Sequence, residues 1–390
     1  MPDIVREIQV FLVDLAQPTP YLGPLRESES VNSKGYFVRK GNRTVYPEKN
    51  RSLVVRARTG DGVTGWGETY GLVAPLATAE IIDDLLAPFV IGRVPSEVET
   101  IHDELADLMR VRGYLGGYYS DALAAIDIAL WDIYGKQQSQ SLGELLHRCP
   151  PKPIPAYVSG LPKKTLQERC ELAVEWQSKG FDAVKFAAPV ADDGPVAELE
   201  ALRKALGPNQ KIACDLHWAF SAEQALFTDR LMANACPWFL EAPVAPEDIT
   251  GLTQVAHHAN APIAAGEEWS TIHDAQQRID AGACQIIQPE MGHTGITQFM
   301  RIAQHAEKHK LELMPHATIG SGIFLAASLQ VSSGFPGTRY HEYQHSIFDS
   351  FKTFTKGNMD CVSGFYEPPG GPGLGAEPTE EMIQRMTRVR

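Results

Sequence analysis

The sequence predicts an α/β protein in which a (β/α) barrel follows a first third of mixed α and β structure. Two observations carry this prediction: short apolar runs alternate with amphipathic segments from about residue 154 onward, and a chemically reactive residue stands at the end of each run. A chain of 390 residues that is 44% hydrophobic is too long for one small domain. We therefore expect two domains, or one large barrel with an addition.

The first third contains a predicted hairpin. Residues Ser52–Arg58 are rich in β-branched side chains, Gly60-Asp61-Gly62 predicts a turn, and a second short strand ends at Glu68. Residues 24–50 before it are polar and contain several glycines, so they predict a long mobile loop. A loop of this length inside a compact domain usually has a function. After the hairpin, Ser120–Lys136 has apolar residues at helical spacing and Ser120 as the predicted N-cap.

The apolar runs predict buried parallel strands. Several of them lack polar alternation, as expected for strands that are covered on both faces. Helix-like segments such as Ala222–Ala235 and Thr297–Lys308 fill the gaps, so the repeating unit is a strand followed by a helix. The runs are Ile154–Val158, Ala183–Ala187, Ile212–Leu216, Trp238–Glu241, Ile263–Gly266, Gln285–Gln288 and Leu311–Pro315.

A ladder of polar residues follows the runs at steps of 23 to 30 residues, close to the length of one strand and helix. Each member therefore falls at the carboxyl end of a successive strand. A (β/α) barrel brings those ends together around one mouth, where barrel enzymes keep their active sites. The members are Lys185, Asp215, Glu241, Glu267, Glu290, His316 and Glu342.

Three consecutive members, Asp215, Glu241 and Glu267, predict a metal site. Three carboxylates in one mouth repel each other, and a divalent cation resolves that repulsion. Their hard oxygen atoms suit Mg²⁺ or Mn²⁺ rather than zinc. The alternative is that each acid caps a helix or meets a lysine, which is common for single acids but is not expected for three at one regular spacing.

Two histidines predict acid–base chemistry at the same mouth. Glu290 and His316 end neighbouring strands, and a carboxylate that binds one imidazole nitrogen raises the basicity of the other. His316 is therefore the candidate general base. His217 lies two residues beyond Asp215, so both side chains can point the same way. It is a candidate second acid, with a supporting role to the metal ligands as the alternative.

Composition excludes several other classes of function. A formal charge of −13 argues against nucleic acid or an anionic membrane as partner, since both reward a basic face, but it permits an anionic small substrate. No apolar stretch is long enough to span a membrane, and the acidic start does not resemble a signal peptide, so we expect a cytoplasmic protein. The six scattered cysteines should be reduced, with Cys214 and Cys284 in the core.

Several motifs together resemble the mandelate racemase subgroup of the enolase superfamily. The similarity runs from about residue 5 to residue 375. The resemblance implies an α+β capping domain (1–125), a (β/α)7β TIM-like barrel (126–355) and a C-terminal segment (356–390) that returns to the cap. The motifs are Gly62-Val63-Thr64-Gly65-Trp66-Gly67-Glu68, Ala124-Ala125-Ile126-Asp127-Ile128-Ala129-Leu130-Trp131-Asp132, Glu241-Ala242-Pro243, Ala264-Ala265-Gly266-Glu267, Gln288-Pro289-Glu290 and Pro372-Gly373-Leu374-Gly375.

The resemblance also implies roles for the ladder. It implies Mg²⁺ on the three acids named above, a base dyad of His316 and Glu290, and a hydrogen bond from Glu342 to the substrate carboxylate. Where racemases of the subgroup carry Lys-x-Lys, this chain has Lys185-Phe186-Ala187, so the second base is missing and one-base chemistry is favoured. The sequence Asp215-Leu216-His217 is similar to that of galactonate dehydratase-like members, where the histidine protonates the departing hydroxyl.

These observations predict an Mg²⁺-dependent dehydratase of an aldonate or aldarate. Lys185 and Glu342 would donate hydrogen bonds to the substrate. The first alternative is a racemase, epimerase or cycloisomerase using the same enediolate, and the second is a non-catalytic metal-binding descendant. His293 either reaches the mouth or is a structural loop residue. Cap residues 19–50 and the mouth residues Trp218, Glu268 and Trp269 should set specificity, and the family suggests a homo-oligomer.

Overall fold

The structure, a computed structural model, describes residues 3–316 and 320–390. Its strands are β1 (Val5–Leu15), β2 (Tyr36–Arg39), β3 (Thr44–Pro47), β4 (Asn50–Thr59), β5 (Thr64–Tyr70), β6 (Ile154–Ser159), β7 (Ala183–Ala187), β8 (Lys211–Asp215), β9 (Leu240–Glu241), β10 (Ile263–Ala265), β11 (Ile286–Ile287), β12 (Glu312–Leu313), β13 (His341–Tyr343), β14 (Thr355–Lys356), β15 (Cys361–Val362), β16 (Phe365–Tyr366), β17 (Glu377–Pro378) and β18 (Thr387–Arg388).

The helices alternate with the strands through most of the chain. A π-helical turn, Ile81–Leu86, joins the first two helices. The α-helices are α1 (Pro75–Glu80), α2 (Ala87–Val90), α3 (Val98–Arg110), α4 (Tyr118–Gln138), α5 (Leu142–His147), α6 (Leu166–Ser178), α7 (Pro195–Leu206), α8 (Ala222–Met232), α9 (Ile249–His258), α10 (Ile272–Asp280), α11 (Met291–Lys308), α12 (Ile323–Ser332), α13 (His345–Phe351) and α14 (Glu380–Arg385).

The cap is built on an antiparallel sheet with strand order β18-β1-β4-β5. The β4–β5 hairpin confirms the predicted one, with Ser52 paired to Tyr70 and Arg58 paired to Thr64. Helix α4 packs directly on this hairpin. A Cβ atom on Gly67 would lie 1.9 Å from the carbonyl oxygen of Ala125, so only glycine permits this close approach.

One buried carboxylate links three distant parts of the chain. Asp132 on α4 accepts hydrogen bonds from the backbone N–H groups of Trp66 on β5 and Leu374 in the C-terminal segment, both at 2.9 Å. Its third partner is Lys136, whose Nζ donates to Oδ2 of Asp132 at 2.7 Å. Burial raises the pKa of Asp132, although the Lys136 ammonium opposes this shift. These contacts explain why the three sequence motifs occur together.

Some local predictions need correction. Residues 24–50 are not a structureless loop, because β2 and β3 form a hairpin there that the short polar strands did not reveal. Helix α4 begins at Tyr118, and Gly117 rather than Ser120 is its N-cap; the Ser120 hydroxyl instead donates to the Gly117 carbonyl at 2.8 Å. The predicted helix at Thr297–Lys308 starts earlier, at Met291, with a kink at Gly295.

The barrel confirms the predicted (β/α)7β architecture. In the described residues, parallel strands β6 to β12 follow one another in chain order, and β13 pairs with β6. Backbone hydrogen bonds close the remaining gap: Leu313 N–H donates to Gly337 at 2.9 Å, and Arg339 N–H donates to Leu313 at 3.0 Å. Helices α6 to α12 connect the strands. All seven predicted runs coincide with a strand, to within two residues at either end.

The C-terminal segment contacts both the cap and the barrel. Strand β18 pairs with β1 through Phe11 and Arg388, and β16 pairs with β6 through Tyr366 and Ile154. Helix α4 runs across the predicted boundary between residues 125 and 126, and the domain limits stay a prediction. Cys214 and Cys284 are buried, as predicted. No helix in the described part of the chain combines the length and apolar character that a membrane crossing requires.

Candidate active site

The ladder residues gather at one mouth of the barrel. Lys185, Asp215, Glu241 and Glu342 stand at or near the ends of their strands. The other three members follow their strands by two or three residues. A cavity of about 430 Å³ lies between this mouth and the cap. Its lining includes Lys185, Asp215, Glu267, His316 and Glu342, and Glu241 and Glu290 are buried beside it.

Lys185 occupies a central position among the acids. Its ammonium lies 2.5 Å from Oε1 of Glu241 and 3.0 Å from Oε1 of Glu342. Burial disfavours the charged lysine, but these two carboxylates outweigh burial and raise the pKa of Lys185 well above its ordinary value. The other carboxylate oxygen of Glu241 accepts a hydrogen bond from the side-chain amide of Gln288 at 2.6 Å.

The acids at the mouth are crowded. Glu241, Glu267 and His316 each offer a ligand atom, and these atoms lie within 4.8 Å of one another. Burial raises the pKa of both Glu241 and Glu267; the Asp215 carboxylate adds to the shift in each, although Lys185 and His316 oppose it. A cluster that disfavours its own negative charge, and that consists mainly of carboxylate oxygens, fits a hard divalent cation.

Asp215 is adjacent to this cluster but is engaged differently. It pairs in register with Glu241 on the neighbouring strand. Its Oδ2 lies 2.6 Å from Nδ1 of His217, and its Oδ1 accepts the His217 backbone N–H at 2.8 Å. Burial opposes ionisation, but the His217 imidazole prevails and lowers the pKa of Asp215. It therefore stays a prediction that Asp215, Glu241 and Glu267 together bind the metal ion.

His316 and Glu290 form the predicted pair. Nδ1 of His316 lies 2.7 Å from Oε2 of Glu290, and Nε2 lies 3.3 Å from Glu267 and 3.7 Å from Glu342. Burial lowers the basicity of the imidazole, but the three carboxylates outweigh burial and raise the pKa of His316 well above its ordinary value. One ring nitrogen of His316 thus lies against Glu290, and the other lies near Glu267 and Glu342.

His217 enters the same cavity through an unusual backbone. His217 and Trp218 have φ values of 49° and 53°, in the left-handed region that side chains with a Cβ rarely adopt. The turn carries both side chains into the cavity lining directly after β8. Backbone strain at consecutive residues is often found where a side chain must be positioned for function.

Sequence reasoning missed the cap residues that contact the dyad. The Tyr70 hydroxyl at the end of β5 donates to Oε2 of Glu290 at 3.2 Å. Its ring stacks on His293 at 4.2 Å between centroids, and Nδ1 of His293 lies 2.6 Å from Oδ1 of Asp121. His293 lines the cavity, so it does reach the mouth. The only available signal was the position of Tyr70, two residues after the Glu68 motif.

Glu68 itself supports the segment beyond His316. Its buried carboxylate accepts backbone N–H groups of Ser321 at 2.5 Å, Ile323 at 2.9 Å and Phe324 at 3.2 Å. The cap thereby holds the amino-terminal end of α12. Because α12 begins shortly after His316, Glu68 holds the chain in place on the C-terminal side of that residue.

The cap contributes aromatic and apolar side chains to the cavity. Tyr21, Leu22, Val45 and Tyr46 come from the predicted specificity region 19–50, and all four line the cavity. On the barrel side, Trp218 and Glu268 also line it. Trp269 does not: it is 1% exposed and packs in the core beside Gly266, so the prediction that it faces the mouth was wrong.

An α+β cap closed over a barrel mouth that carries acids and a histidine dyad is the arrangement of a capped (β/α)7β-barrel enzyme acting on a small molecule. Sequence comparison assigns the family. Residues 43–147 match the family described as the mandelate racemase / muconate lactonizing enzyme N-terminal domain. Residues 168–382 match the family described as "Enolase C-terminal domain-like". The chain belongs to the mandelate racemase / muconate lactonizing enzymes of the enolase superfamily, as the sequence predicted.

Two relatives match most of the chain. It is 29% identical to D-galactarolactone cycloisomerase from Agrobacterium fabrum, over 85% of this chain and 89% of that one. It is 30% identical to D-galactonate dehydratase from Ralstonia pickettii, over 87% of this chain and 92% of that one. Similarity of this extent applies to both the cap and the barrel.

Solved structures share the whole fold. A Sinorhizobium meliloti protein, provisionally described as an isomerase, is 54% identical, with a TM-score of 0.97 over 99% of this chain and 100% of that one. A racemase from Streptomyces coelicolor with bound magnesium is 22% identical, with a TM-score of 0.85 over 98% of this chain and 100% of that one. At that lower identity the likeness concerns the fold alone.

Proposed function

We propose that this protein dehydrates a sugar acid, an aldonate or aldarate, to the 2-keto-3-deoxy acid. The observation that carries the proposal is the contact between Nδ1 of His316 and Glu290, beside a cavity that is lined by both His316 and His217. A base and a separate candidate acid at one cavity match the two proton transfers of a β-elimination. The similarity to galactonate dehydratases over most of the chain supports the choice of substrate class.

The first task of the site is to make a very weak carbon acid reactive. Removing the proton beside a carboxylate places a second negative charge on a group that is already anionic. Asp215, Glu241 and Glu267 would hold Mg²⁺, and the bound ion would supply positive charge to offset that second negative charge. The crowded carboxylates fit that ion, and a fold relative contains magnesium.

Side chains of the protein itself are proposed to bind the substrate and to transfer the protons. Glu290 holds Nδ1 of His316. Once a cation bound at Glu267 offsets the carboxylate charge that raises the pKa of His316, Nε2 would be able to take the C2 proton. Lys185, held between two acids, would donate a hydrogen bond to the substrate carboxylate, and Glu342, in its protonated form, would donate another. His217 gives a proton to the C3 hydroxyl as it leaves. The enol product tautomerises to the keto acid without further help.

Two matched variants test this division of roles. His316→Asn should lower both C2 proton exchange and dehydration by about 10³-fold or more, because the base is lost. His217→Asn should retain exchange and lose dehydration by about 10²-fold or more, because only the acid is lost. A panel of sugar acids with Mg²⁺ is scored for keto products by a colour reaction and for exchange by NMR in D₂O. Equal loss of exchange in both variants would contradict the assignment.

An isomerisation is the alternative, and two relatives favour it. One relative is named as a cycloisomerase, and the protein at 54% identity is provisionally described as an isomerase. Such a reaction shares the enediolate but returns a proton to carbon or closes a ring. Solvent deuterium at C2 of the recovered acid or of an isomer, without keto product, would select this alternative. The homo-oligomeric state and the exact acid stay predictions to be tested in the same preparations.

A further inference from the structure

Outside the active site, two helices of the barrel's outer layer bring three potential metal ligands together. Asp280 is the last residue of α10, His305 lies near the end of α11, and His309 directly follows α11. Each offers one ligand atom, and these atoms lie within 4.8 Å of one another. We propose that Asp280, His305 and His309 form a surface site for Zn²⁺ or a similar borderline divalent cation.

The two histidines have the spacing that chelation requires. Residues four apart on a helix lie on the same face, one above the other. The rings of His305 and His309 are 4.8 Å apart between centroids, with an angle of 45° between their planes. Two imidazoles and a carboxylate are a ligand set for zinc-like ions, whereas Mg²⁺ prefers oxygen ligands alone. The site therefore differs in selectivity from the carboxylate cluster at the barrel mouth.

Both imidazoles are directed at one carboxylate oxygen. Nε2 of His305 lies 2.8 Å from Oδ1 of Asp280, and Nε2 of His309 lies 3.3 Å from the same atom. Ligands about 2.0 to 2.1 Å from a tetrahedral zinc ion are about 3.3 Å from each other. The 3.3 Å spacing matches that value and the 2.8 Å spacing is shorter, so His305 and Asp280 would move apart to admit the ion.

The charge and exposure of the site are also suitable. An aspartate carboxylate is ionised at neutral pH, so Asp280 gives the site a negative charge. The side chains are 18%, 40% and 47% exposed for His305, His309 and Asp280, which leaves room for an ion and a water ligand. A bound cation would join the ends of α10 and α11 by direct coordination.

Metal titration of the whole protein under saturating Mg²⁺ tests the proposal. Zn²⁺ bound to wild type and to His309→Asn is counted by equilibrium dialysis and elemental analysis, with His258→Asn as a matched control. His258 is an exposed histidine on α9, outside the cluster. Counting by difference is needed because the carboxylates at the mouth can also accept Zn²⁺.

The expected result is one fewer Zn²⁺ in His309→Asn, or a loss of affinity at that site of about a hundredfold, since removing a ligand costs at least as much as removing a supporting contact. His258→Asn should match wild type. Zn²⁺ should also raise the Tm of wild type more than that of His309→Asn. Equal Zn²⁺ stoichiometry and affinity in wild type and His309→Asn would overturn the proposal and leave an ordinary surface ion pair.

Discussion

Two adjacent layers of the barrel interior, two residues apart on the same strands or on the residues that flank them, have opposite chemistry. The deeper layer includes Ala183, Ala213, Phe239 and Met314, which belong to one buried apolar cluster. The layer at the mouth includes Lys185, Asp215, Glu241 and His316. Residues two apart on a strand point to the same face, so both layers face the barrel axis.

The comparison separates what holds the barrel together from what makes it reactive. The deeper layer buries side chains that need no partner, and their burial stabilises the fold. The mouth layer buries charges whose pKa values are displaced in opposing directions, upward in Glu241 and Glu267 and downward in Asp215. The first layer should therefore govern stability, and the second should govern activity at some expense of stability.

The largest expected effect is at the mouth. Glu267→Gln removes a proposed ligand and should lower kcat/KM by about 10³-fold or more, in line with the loss of a major electrostatic contribution. Because burial and neighbouring carboxylates disfavour its charged form, the same change should stabilise the metal-free protein by about 1 kcal/mol. Activity and urea unfolding in EDTA measure the two effects. A metal-free variant that is less stable than wild type would contradict the separation.

The next effect is at the deeper layer. Phe239 is fully buried, and Phe239→Ala should lower the free energy of unfolding by about 4 kcal/mol through lost burial and an uncollapsed cavity. Its activity per folded molecule at low temperature should stay close to wild type. The control is Phe227→Ala on α8, where the ring is 56% exposed and the expected change is within about 0.5 kcal/mol. A large loss of kcat in Phe239→Ala at full folding would show that the layers are not independent.

A third effect concerns the outer face of the same barrel wall. His341 on β13 is buried, with Nε2 at 2.8 Å from the Ser328 hydroxyl. Burial lowers the pKa of His341 to about 4, below its ordinary value near 6.5. The unfolded chain thus binds the extra proton more readily. Stability from this residue is fully present above pH 6.5 and is lost as pH falls towards 4, by about 3 kcal/mol.

Comparing His341→Gln with wild type isolates this contribution. The variant should lose less stability than wild type between pH 6.5 and pH 4, as measured by urea unfolding at each pH. His258→Gln, at an exposed position, should keep the wild-type slope. An unchanged slope in His341→Gln would assign the acid sensitivity to other groups.

The sequence predicted the apolar runs and the polar ladder because both depend on local order. Parallel strands covered on both faces are continuous apolar runs, and the regular step from Lys185 to Glu342 follows from the repeated strand–helix unit. The pairing of His316 with Glu290 on neighbouring strands followed from the same rule. A single sequence can therefore reveal the features that the repeated strand–helix unit determines.

The remaining contacts join distant segments without a repeating pattern. Tyr70 reaches Glu290 across 220 residues, and Asp121 reaches His293 across 172, which spacing alone cannot indicate. The β2–β3 hairpin is tied to the preceding loop by Arg39, whose guanidinium donates to Glu29 at 2.6 Å, a contact that hydrophobic patterning does not indicate. Trp269 was misplaced because the turn at Gly266 directs it inward.

The smallest expected effect tests whether the cap assists the mouth layer. Tyr70→Phe removes the hydroxyl that donates to Glu290 at 3.2 Å, and a hydrogen bond to a carboxylate contributes about 1.5 kcal/mol or more. If the bond orients the dyad, kcat for C2 exchange should fall by about tenfold with little change in KM.

Tyr119→Phe is the matched control for Tyr70→Phe. It removes another buried tyrosine hydroxyl of the cap, which donates to the Leu105 carbonyl at 2.5 Å, but it does not contact the dyad. Tyr119→Phe should lose a similar or smaller amount of stability, because its hydroxyl donates to a neutral carbonyl rather than to a carboxylate. Only Tyr70→Phe should lose turnover. If the two variants are equally active, the cap contact with Glu290 stabilises the fold alone, and the mouth layer owes its reactivity to the barrel strands.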